Sequence, residues 1–361
     1  MKVEELILGN TTNKVSAIYS SRRTTRYKLL NIIKGLIGDS GMNHRVLGCM
    51  HMLHSNSLDV MRKSSGQAYY SGASVCGSVW VCPVCASRIT LSRRDELKQA
   101  LRVSGFIPVM VTVTLQHYKS DHLNVLLSAL NGSLRKLKAG RWWKGFTSRY
   151  GIMAHVSGLE IVYSLQHGWH PHKHILFFVD NSEIDISAIK DELTERYTGL
   201  IRESGMYASE YHSIDVSICD DDISGYVAKW GLTDEVTRSN IKRGKDGSYS
   251  PFELAELAGN GERWAVMAFR EYVESTSGKR QMTWSHGGRK VLGLGRDKSD
   301  KQLAEERKQS DDELIISIDR KQWNQIMRLG LQGELLDVAE DGGTGAVILF
   351  LSGVLSYPDT S

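Results

Sequence analysis

The middle of the chain shows two hydrophobic periods, one typical of strands and one typical of helices. Four segments with β-branched or alternating apolar residues predict strands, at 107–115, 156–164, 171–179 and 213–219. Apolar residues recur every three or four positions at 123–137 and 186–200, which predicts two helices. The order is therefore βαββαβ. This order predicts an α+β domain of the ferredoxin-like type, with an antiparallel sheet whose first and third strands are central.

The patterns on either side of this domain divide the chain further. We expect a basic N-terminal arm at 1–45, a cysteine-rich segment with a linker helix at 46–105, the βαββαβ domain at 106–235 and a C-terminal α/β extension at 236–361. Within the extension, the patterns predict helices at 251–258, 262–274 and 321–329 and a strand at 314–318.

Composition limits the class of protein. The 361 residues carry a net charge of +4, and five cysteines are too few for a disulfide framework in a chain of this length. No secretory signal follows Met1, and the longest apolar run, 346–351, is too short to cross a bilayer. We therefore expect a cytoplasmic protein with no membrane partner. The chain also lacks the phosphate-binding loop motif of ATPases.

Three histidines stand at alternate positions beside the third predicted strand: His170, His172 and His174. Alternate strand residues point to the same face, so His172 and His174 would present two imidazoles side by side. Glu160 is on the preceding strand, and a turn centred on residue 167 would place it opposite His174. Two imidazoles and a carboxylate suit a catalytic Mg²⁺ or Mn²⁺ ion with positions open for phosphate oxygens. His170 is a further candidate ligand, nearer the turn.

A helix predicted after the fourth strand carries Tyr226 and Lys229, three positions apart and thus on one face. A phenol is a poor nucleophile at neutral pH unless a metal or its neighbours assist it. Lys229 can orient a phosphate or favour the phenolate. Asp222, one turn before Tyr226, is placed to act as a base toward water or a hydroxyl.

A cluster of cysteines precedes the predicted βαββαβ domain: Cys76, Cys82 and Cys85. Thiolates at this spacing favour structural Zn²⁺, although three buried thiols would show the same pattern. Zinc needs a fourth ligand, for which the candidates are Cys49, His51 and His54. We favour Cys49.

Cations and tryptophans mix between the first predicted helix and the second strand: Arg135, Lys138, Arg141, Trp142 and Lys144. Lysine and arginine side chains bind backbone phosphates, and aromatic rings stack on unpaired bases. This stretch is therefore a candidate DNA-binding surface. A solvated helix end followed by tryptophans of the core would give the same pattern.

Taken together and in this order, the motifs resemble those of the plasmid rolling-circle replication initiators. These belong to the HUH endonucleases with a single catalytic tyrosine. The resemblance covers about 49–305 and rests on the segments 76–85, 111–115, 170–174, 226–229, 278–285 and 291–295.

This resemblance implies a bacterial enzyme that nicks one strand of supercoiled plasmid DNA, at an origin whose loop is extruded as single strand. Tyr226 would become linked to the 5′ phosphate, and the freed 3′ hydroxyl would prime host DNA polymerase. A host helicase and single-strand binding protein would be further partners. In these proteins an acidic residue one turn before the tyrosine is thought to activate water at termination. That position holds Asp222 here, with a shorter side chain than the expected glutamate.

Three other interpretations remain open. The βαββαβ order also fits an RNA-recognition module, although histidines replace the stacking aromatics of its third strand. A single-tyrosine transposase or relaxase would use related chemistry. A zinc-dependent transcription regulator would bind DNA without cutting it.

Overall fold

The computed structural model describes residues 4–180, 183–219, 247–305 and 310–355. The chain divides into two compact units, one made of Met1–Ile89 with Ser299–Ser361 and the other of Thr90–Lys298. These boundaries fall elsewhere than those of the four regions expected from the sequence. The described part is mixed α+β, with one antiparallel sheet in each unit.

Eleven helices occur in the described ranges: α1 (Glu4–Asp39), α2 (Pro83–Ser104), α3 (Leu123–Leu137), α4 (Gly140–Arg149), α5 (Ile186–Glu203), α6 (Pro251–Gly259), α7 (Arg263–Thr276), α8 (Gly288–Val291), α9 (Asp300–Ala304), α10 (Arg320–Leu329) and α11 (Gln332–Leu355, kinked at Gly343). The strands in the same ranges are β1 (Ser57–Arg62), β2 (Ala68–Ser71), β3 (Ile107–Thr114), β4 (Ile152–Ser164), β5 (Gly168–Val179), β6 (Ile214–Ile218), β7 (Ser248–Tyr249), β8 (Met282–Trp284) and β9 (Glu313–Asp319).

The sheet of the second unit has the strand order β6-β3-β5-β4-β7, and β8 also pairs with β4. The first and third strands of the predicted βαββαβ series, β3 and β5, are central, as the pattern predicted. Val109, Val111 and Val113 of β3 are fully or almost fully buried. The threonines that alternate with the last two lie on the opposite face of the sheet.

The two faces of this sheet are covered differently. Helices α3 and α5 pack against β5 and β6 on one face, through the apolar stripe that the leucine spacing of α3 predicted. On the other face, Leu97 and Ala100 of α2 pack with Leu292 and Leu294 over a buried cluster that includes Phe178. This cluster lies toward the C-terminal end of β5. The N-terminal end of β5, which carries the histidines, lies outside it.

The hairpin between β4 and β5 sets which residues face each other. Ser164 pairs with Gly168, whose φ of +75° favours glycine. A side chain at Gly168 would also collide with the Lys119 backbone, since its Cβ would lie 2.9 Å from the Lys119 Cα. The three-residue connection centres the turn on residue 166 rather than 167. As a result Glu160 pairs with His172, and the expected pairing with His174 is wrong by two residues.

Described segments of the C-terminal part pair with strands of both sheets. In the second unit β7 and β8 pair with the outer edge of β4, while in the first unit β9 pairs with β1 in the order β2-β1-β9. An unpaired strand edge exposes a row of backbone hydrogen-bonding groups, and these distant segments satisfy them. The pairing of β8 places the segment 278–285 against β4, with Trp284 packed 6.4 Å from Phe178 between ring centroids.

At the N-terminus of the first unit, 4–39 form the long helix α1, within the region expected as a basic arm. Arg23 of α1 bonds Asp337 at 2.9 Å and Glu340 at 2.6 Å, both on α11. Trp323 of α10 is fully buried and donates a hydrogen bond to the Met50 carbonyl. None of the helices in the described ranges combines the length and apolarity that a bilayer span requires.

Candidate active site

Three side chains meet on the open end of the second unit's sheet. Oε2 of Glu160 on β4 lies 3.0 Å from Nε2 of His172 and 3.0 Å from Nε2 of His174, both on β5. The side chains of the three residues are 10–28% exposed, so solvent and a substrate oxygen can reach them. The structure thus brings the three predicted metal ligands together, although Glu160 pairs with the other histidine.

The spacing of these atoms fits a divalent cation. Two ligand atoms at about 2.1 Å from an ion and at right angles to each other are about 3.0 Å apart. That is the distance from the Glu160 oxygen to both imidazole nitrogens. Two imidazoles and a carboxylate occupy at most half of an octahedron, which leaves the remaining positions for water or phosphate oxygens.

The surroundings of Glu160 favour its ionised carboxylate over the protonated acid. Burial raises the pKa of this carboxyl, but the hydrogen bonds and charges of His172 and His174 lower it by more. The net result is a pKa well below the usual range. Glu160 is therefore a carboxylate at neutral pH and is ready to accept a cation.

Thr112 was not predicted from the sequence. Its Oγ1 on β3 lies 3.1 Å from Nδ1 of His174, because Thr112 and His174 pair directly across the two strands. A metal-binding Nε2 must be unprotonated, so the Nδ1 hydrogen then needs an acceptor, which Thr112 supplies. His172 differs, since its Nδ1 is buried without a hydrogen-bond partner in the part of the chain that the structure describes.

His117 was also missed. It follows β3, and its Nε2 lies 2.7 Å from Nδ1 of His170. Burial and the nearby His172 and His117 charges lower the pKa of His170 to about 4. His170 therefore bonds another histidine and is not part of the three-residue group with Glu160. Only the alternation of histidines pointed to His170. No local signal marks His117 as its partner, since their contact depends on strand pairing.

The four predicted cysteines form a second cluster, in the first unit. Cys49 Sγ lies 3.6 Å from the Sγ atoms of Cys82 and Cys85, and the Sγ atoms of Cys76 and Cys85 are also 3.6 Å apart. In a tetrahedral Zn²⁺ site with Zn–S bonds near 2.3 Å, the sulfurs are about 3.8 Å apart. All four side chains are buried, and the distances far exceed a disulfide bond.

The surroundings of this cluster suit an anionic metal–thiolate group. Lys34 of α1 donates a hydrogen bond of 2.6 Å to the Cys49 carbonyl. His51 and His54, the other candidates for the fourth ligand, are exposed and are not among the grouped ligand atoms. The geometry therefore favours a four-cysteine set.

The structure describes only some of the remaining predicted site residues. Tyr226, Lys229 and Asp222 lie outside the described residues. In the basic stretch, Arg135, Arg141 and Lys144 are exposed. Trp142 of α4, a helix that the sequence did not predict, stacks on Phe146 at 5.1 Å between ring centroids. Lys138 is partly buried, with Nζ 3.3 Å from Ser157 Oγ.

Comparison with known proteins agrees with these motifs. Residues 69–192 match a family model described as "Replication protein", and the match includes Glu160, His172, His174 and three of the cysteines. "Protein rep" of Streptomyces lividans is 24% identical over 357 aligned residues, which cover 78% of each chain. The "Neomycin resistance protein" of Streptomyces cyanogenus is 27% identical over 146 residues, or 33% of each chain.

No solved structure matches the chain significantly. The family match spans β2 to α5, and so covers both candidate metal sites except for Cys49. Together with the relative from Streptomyces lividans, this match confirms the resemblance that the motifs indicated. Residues 69–192 are thus similar to a replication-protein domain, and the chain as a whole is similar to a Rep protein over most of its length.

Proposed function

We propose that this protein initiates plasmid replication by cutting one DNA strand at the origin with a tyrosine nucleophile. The observation that carries the proposal is the group formed by Glu160, His172 and His174. It combines a partly buried carboxylate and two imidazoles at metal-binding distances, on a sheet within the segment that matches the replication-protein family. The strand order β6-β3-β5-β4, with the first and third strands of the βαββαβ series central, supports a ferredoxin-like core of the HUH nuclease type.

In this proposal Glu160, His172 and His174 hold Mg²⁺ or Mn²⁺. When bound, the ion supplies positive charge that polarises the scissile phosphate. When the ion is bound, Thr112 can accept the Nδ1 hydrogen of His174, which leaves Nε2 unprotonated for the ion. The carboxylate of Glu160, already charged in the free protein, offsets part of the cation's charge.

Tyr226 is the proposed nucleophile. Its Oη forms a bond to phosphorus, the bond from phosphorus to the 3′ oxygen breaks, and that oxygen leaves as the 3′ hydroxyl after taking up a proton. The tyrosine proton passes to solvent or to a base, and the Lys229 ammonium group orients the phosphate. The described residues on either side of the segment that contains Tyr226 lie on the sheet that carries Glu160, His172 and His174. Before the segment, the Cys219 amide donates a hydrogen bond to the Pro108 carbonyl, and after it Ser248 pairs with Ser164 on β4.

The partners follow from this role. The substrate is origin DNA of a supercoiled plasmid with an extruded single-stranded loop. The 3′ hydroxyl primes host polymerase, with a helicase and single-strand binding protein acting on the displaced strand. A structural Zn²⁺ held by Cys49, Cys76, Cys82 and Cys85 is part of the same proposal. Its support is that the four Sγ atoms lie within 4.8 Å of one another, as the sulfurs of a zinc site do.

The decisive experiment uses a labelled plasmid origin, Mn²⁺ or Mg²⁺, and separation of covalent protein–DNA adducts under denaturing conditions. We expect the wild-type protein to form a strand-specific nick with protein on the 5′ end. Tyr226→Phe should bind DNA but form no adduct, and His174→Ala should lose metal-dependent cleavage.

Tyr118→Phe is the matched control. Tyr118 is 62% exposed and directly follows His117, which contacts His170, so it is an alternative tyrosine close in sequence to a neighbour of the site. It should keep full adduct formation. If Tyr226→Phe forms the covalent adduct and Tyr118→Phe does not, the nucleophile is Tyr118 and not Tyr226. DNA binding with uncut product throughout would favour a regulator or a binding module instead.

A further inference from the structure

Two lysines lie on the helix-covered face of the second unit's sheet, opposite to the metal ligands. Lys138 ends α3 and reaches Ser157 on β4, with Nζ 3.3 Å from Oγ. Lys173 stands between His172 and His174 on β5, so its side chain points to the other face. Both lysines are partly buried.

The strand register places these groups side by side. Ser157 pairs with Ile175, and Leu159 pairs with Lys173. Lys173 is therefore the diagonal neighbour of Ser157, at a typical spacing of about 7–8 Å. Long side chains bridge such a distance easily. Two ammonium groups and one hydroxyl thus converge on the same patch of the sheet.

Neither ammonium has a carboxylate partner among the described residues. The groups that act on Lys138 are burial and the charge of Lys173, which together lower its pKa to about 8. His155, two residues before Ser157, carries no compensating charge, because burial and Lys138 lower its pKa to about 3. By contrast Lys136 is exposed and pairs with Glu203 at 2.9 Å.

Two adjacent, partly buried cations without a counter-ion are unfavourable for the folded chain. An anion that brings two or three acceptor oxygens would remove this cost and would bond all three groups. Arg135, Arg141 and Lys144 are exposed within the stretch around Lys138, which suits a ligand that carries more than one negative charge.

We propose that Lys138, Lys173 and Ser157 form a phosphate-binding site, separate from the metal site, that holds a backbone phosphate of bound DNA. The two ammonium groups and the Ser157 hydroxyl donate hydrogen bonds to the phosphate oxygens. The choice of DNA as the source of the phosphate rests on the proposed function above. The site itself requires neither Tyr226 nor a divalent metal.

Thermal unfolding of the full-length, zinc-loaded protein tests the site with inorganic phosphate as the probe, against chloride at equal ionic strength. With phosphate at ten times its Kd, we expect the Tm of the wild-type second unit to rise by about 3 °C more than that of the variants. Lys138→Met and Lys173→Met should lose this increment and, without phosphate, should be at least as stable as wild type.

Lys136→Met is the matched control, since it removes an exposed and paired lysine from the same helix. It should respond to phosphate as the wild type does. Phosphate also stabilises proteins non-specifically, but that effect appears equally in all four proteins. An equal phosphate response in wild type and the Lys138 and Lys173 variants would overturn the proposal. Lys138→Gln and Lys173→Gln replace the methionine variants if those fail to fold.

The second measurement uses single-stranded DNA in the absence of divalent metal, so that cleavage plays no part. Loss of one phosphate contact should reduce the slope of log K against log salt by about 0.7. We expect this reduction in the Lys138 and Lys173 variants but not in Lys136→Met. A phosphate response with unchanged DNA affinity and salt slope would refute DNA as the occupant. Normal nicking by the wild type with no phosphate response would refute the site while leaving the proposed function standing.

Discussion

Thr112→Val tests whether the strand beside the metal ligands controls metal affinity. Valine has the shape of threonine and suits a strand equally well, so the substitution removes little besides the hydroxyl. In the wild type that hydroxyl lies 3.1 Å from Nδ1 of His174, and His174 is only 8% exposed. Without it, the Nδ1 hydrogen of a metal-bound His174 is buried with no acceptor.

The penalty falls on the metal-bound state. In the free protein His174 can move its proton to Nε2 and donate to Glu160, 3.0 Å away, so little is lost. Metal binding needs a bare Nε2 and forces the proton to Nδ1. Loss of such a partner typically weakens metal binding by about 10- to 100-fold, or roughly 1.4–2.7 kcal/mol. At a Mn²⁺ concentration equal to the wild-type Kd, occupancy should fall from half to about 1–9%.

Binding of Mn²⁺ to the full-length protein, followed by the resonance signal of the free ion, measures this directly. Thr114→Val is the matched control, because Thr114 pairs with His172 and its hydroxyl bonds the Pro171 carbonyl instead of a histidine. We expect it to change Mn²⁺ affinity by less than about threefold. Unchanged affinity in Thr112→Val, or an equal loss in both variants, would refute the reasoning.

Three further predictions concern other parts of the protein. Cys85→Ser should lose about one bound zinc per chain and lower the unfolding temperature of the first unit, whereas Cys219→Ser should keep the metal; zinc content and calorimetry decide this, and a Cys85→Ser protein with full zinc would contradict it. Asp222→Ala should nick at a near wild-type rate but terminate roughly a hundredfold more slowly, with concatemeric single strands accumulating; equal loss of both activities would mean a structural role. Burial holds the folded pKa of His155 near 3, so the unfolded state binds its proton first and stability falls as pH drops from 6.5 toward 3. His155→Phe should reduce that slope by up to about 1.4 kcal/mol per pH unit in urea unfolding, and an unchanged slope would refute a buried neutral histidine.

Local patterns were enough to predict most elements of the second unit. The spacing of leucines in α3 and the β-branched run of β3 agree with the structure to within a few residues. The alternation of His172 and His174 placed both on one face, because a strand repeats every two residues. An error of two residues in register therefore left both histidines beside Glu160 and changed only which one pairs with it.

By itself the sequence determined most elements of the second unit, the face on which the histidines lie and the cysteines that can meet, since these depend on periodicity and on residue type. Only the tertiary structure decided the long-range partners: Thr112 at His174, His117 at His170, and Lys138 at Ser157. It also paired β9 with β1 and β8 with β4. These contacts join residues far apart in the chain, through strand edges that need partners and turns that set register. No local pattern of polar and apolar residues encodes such a choice.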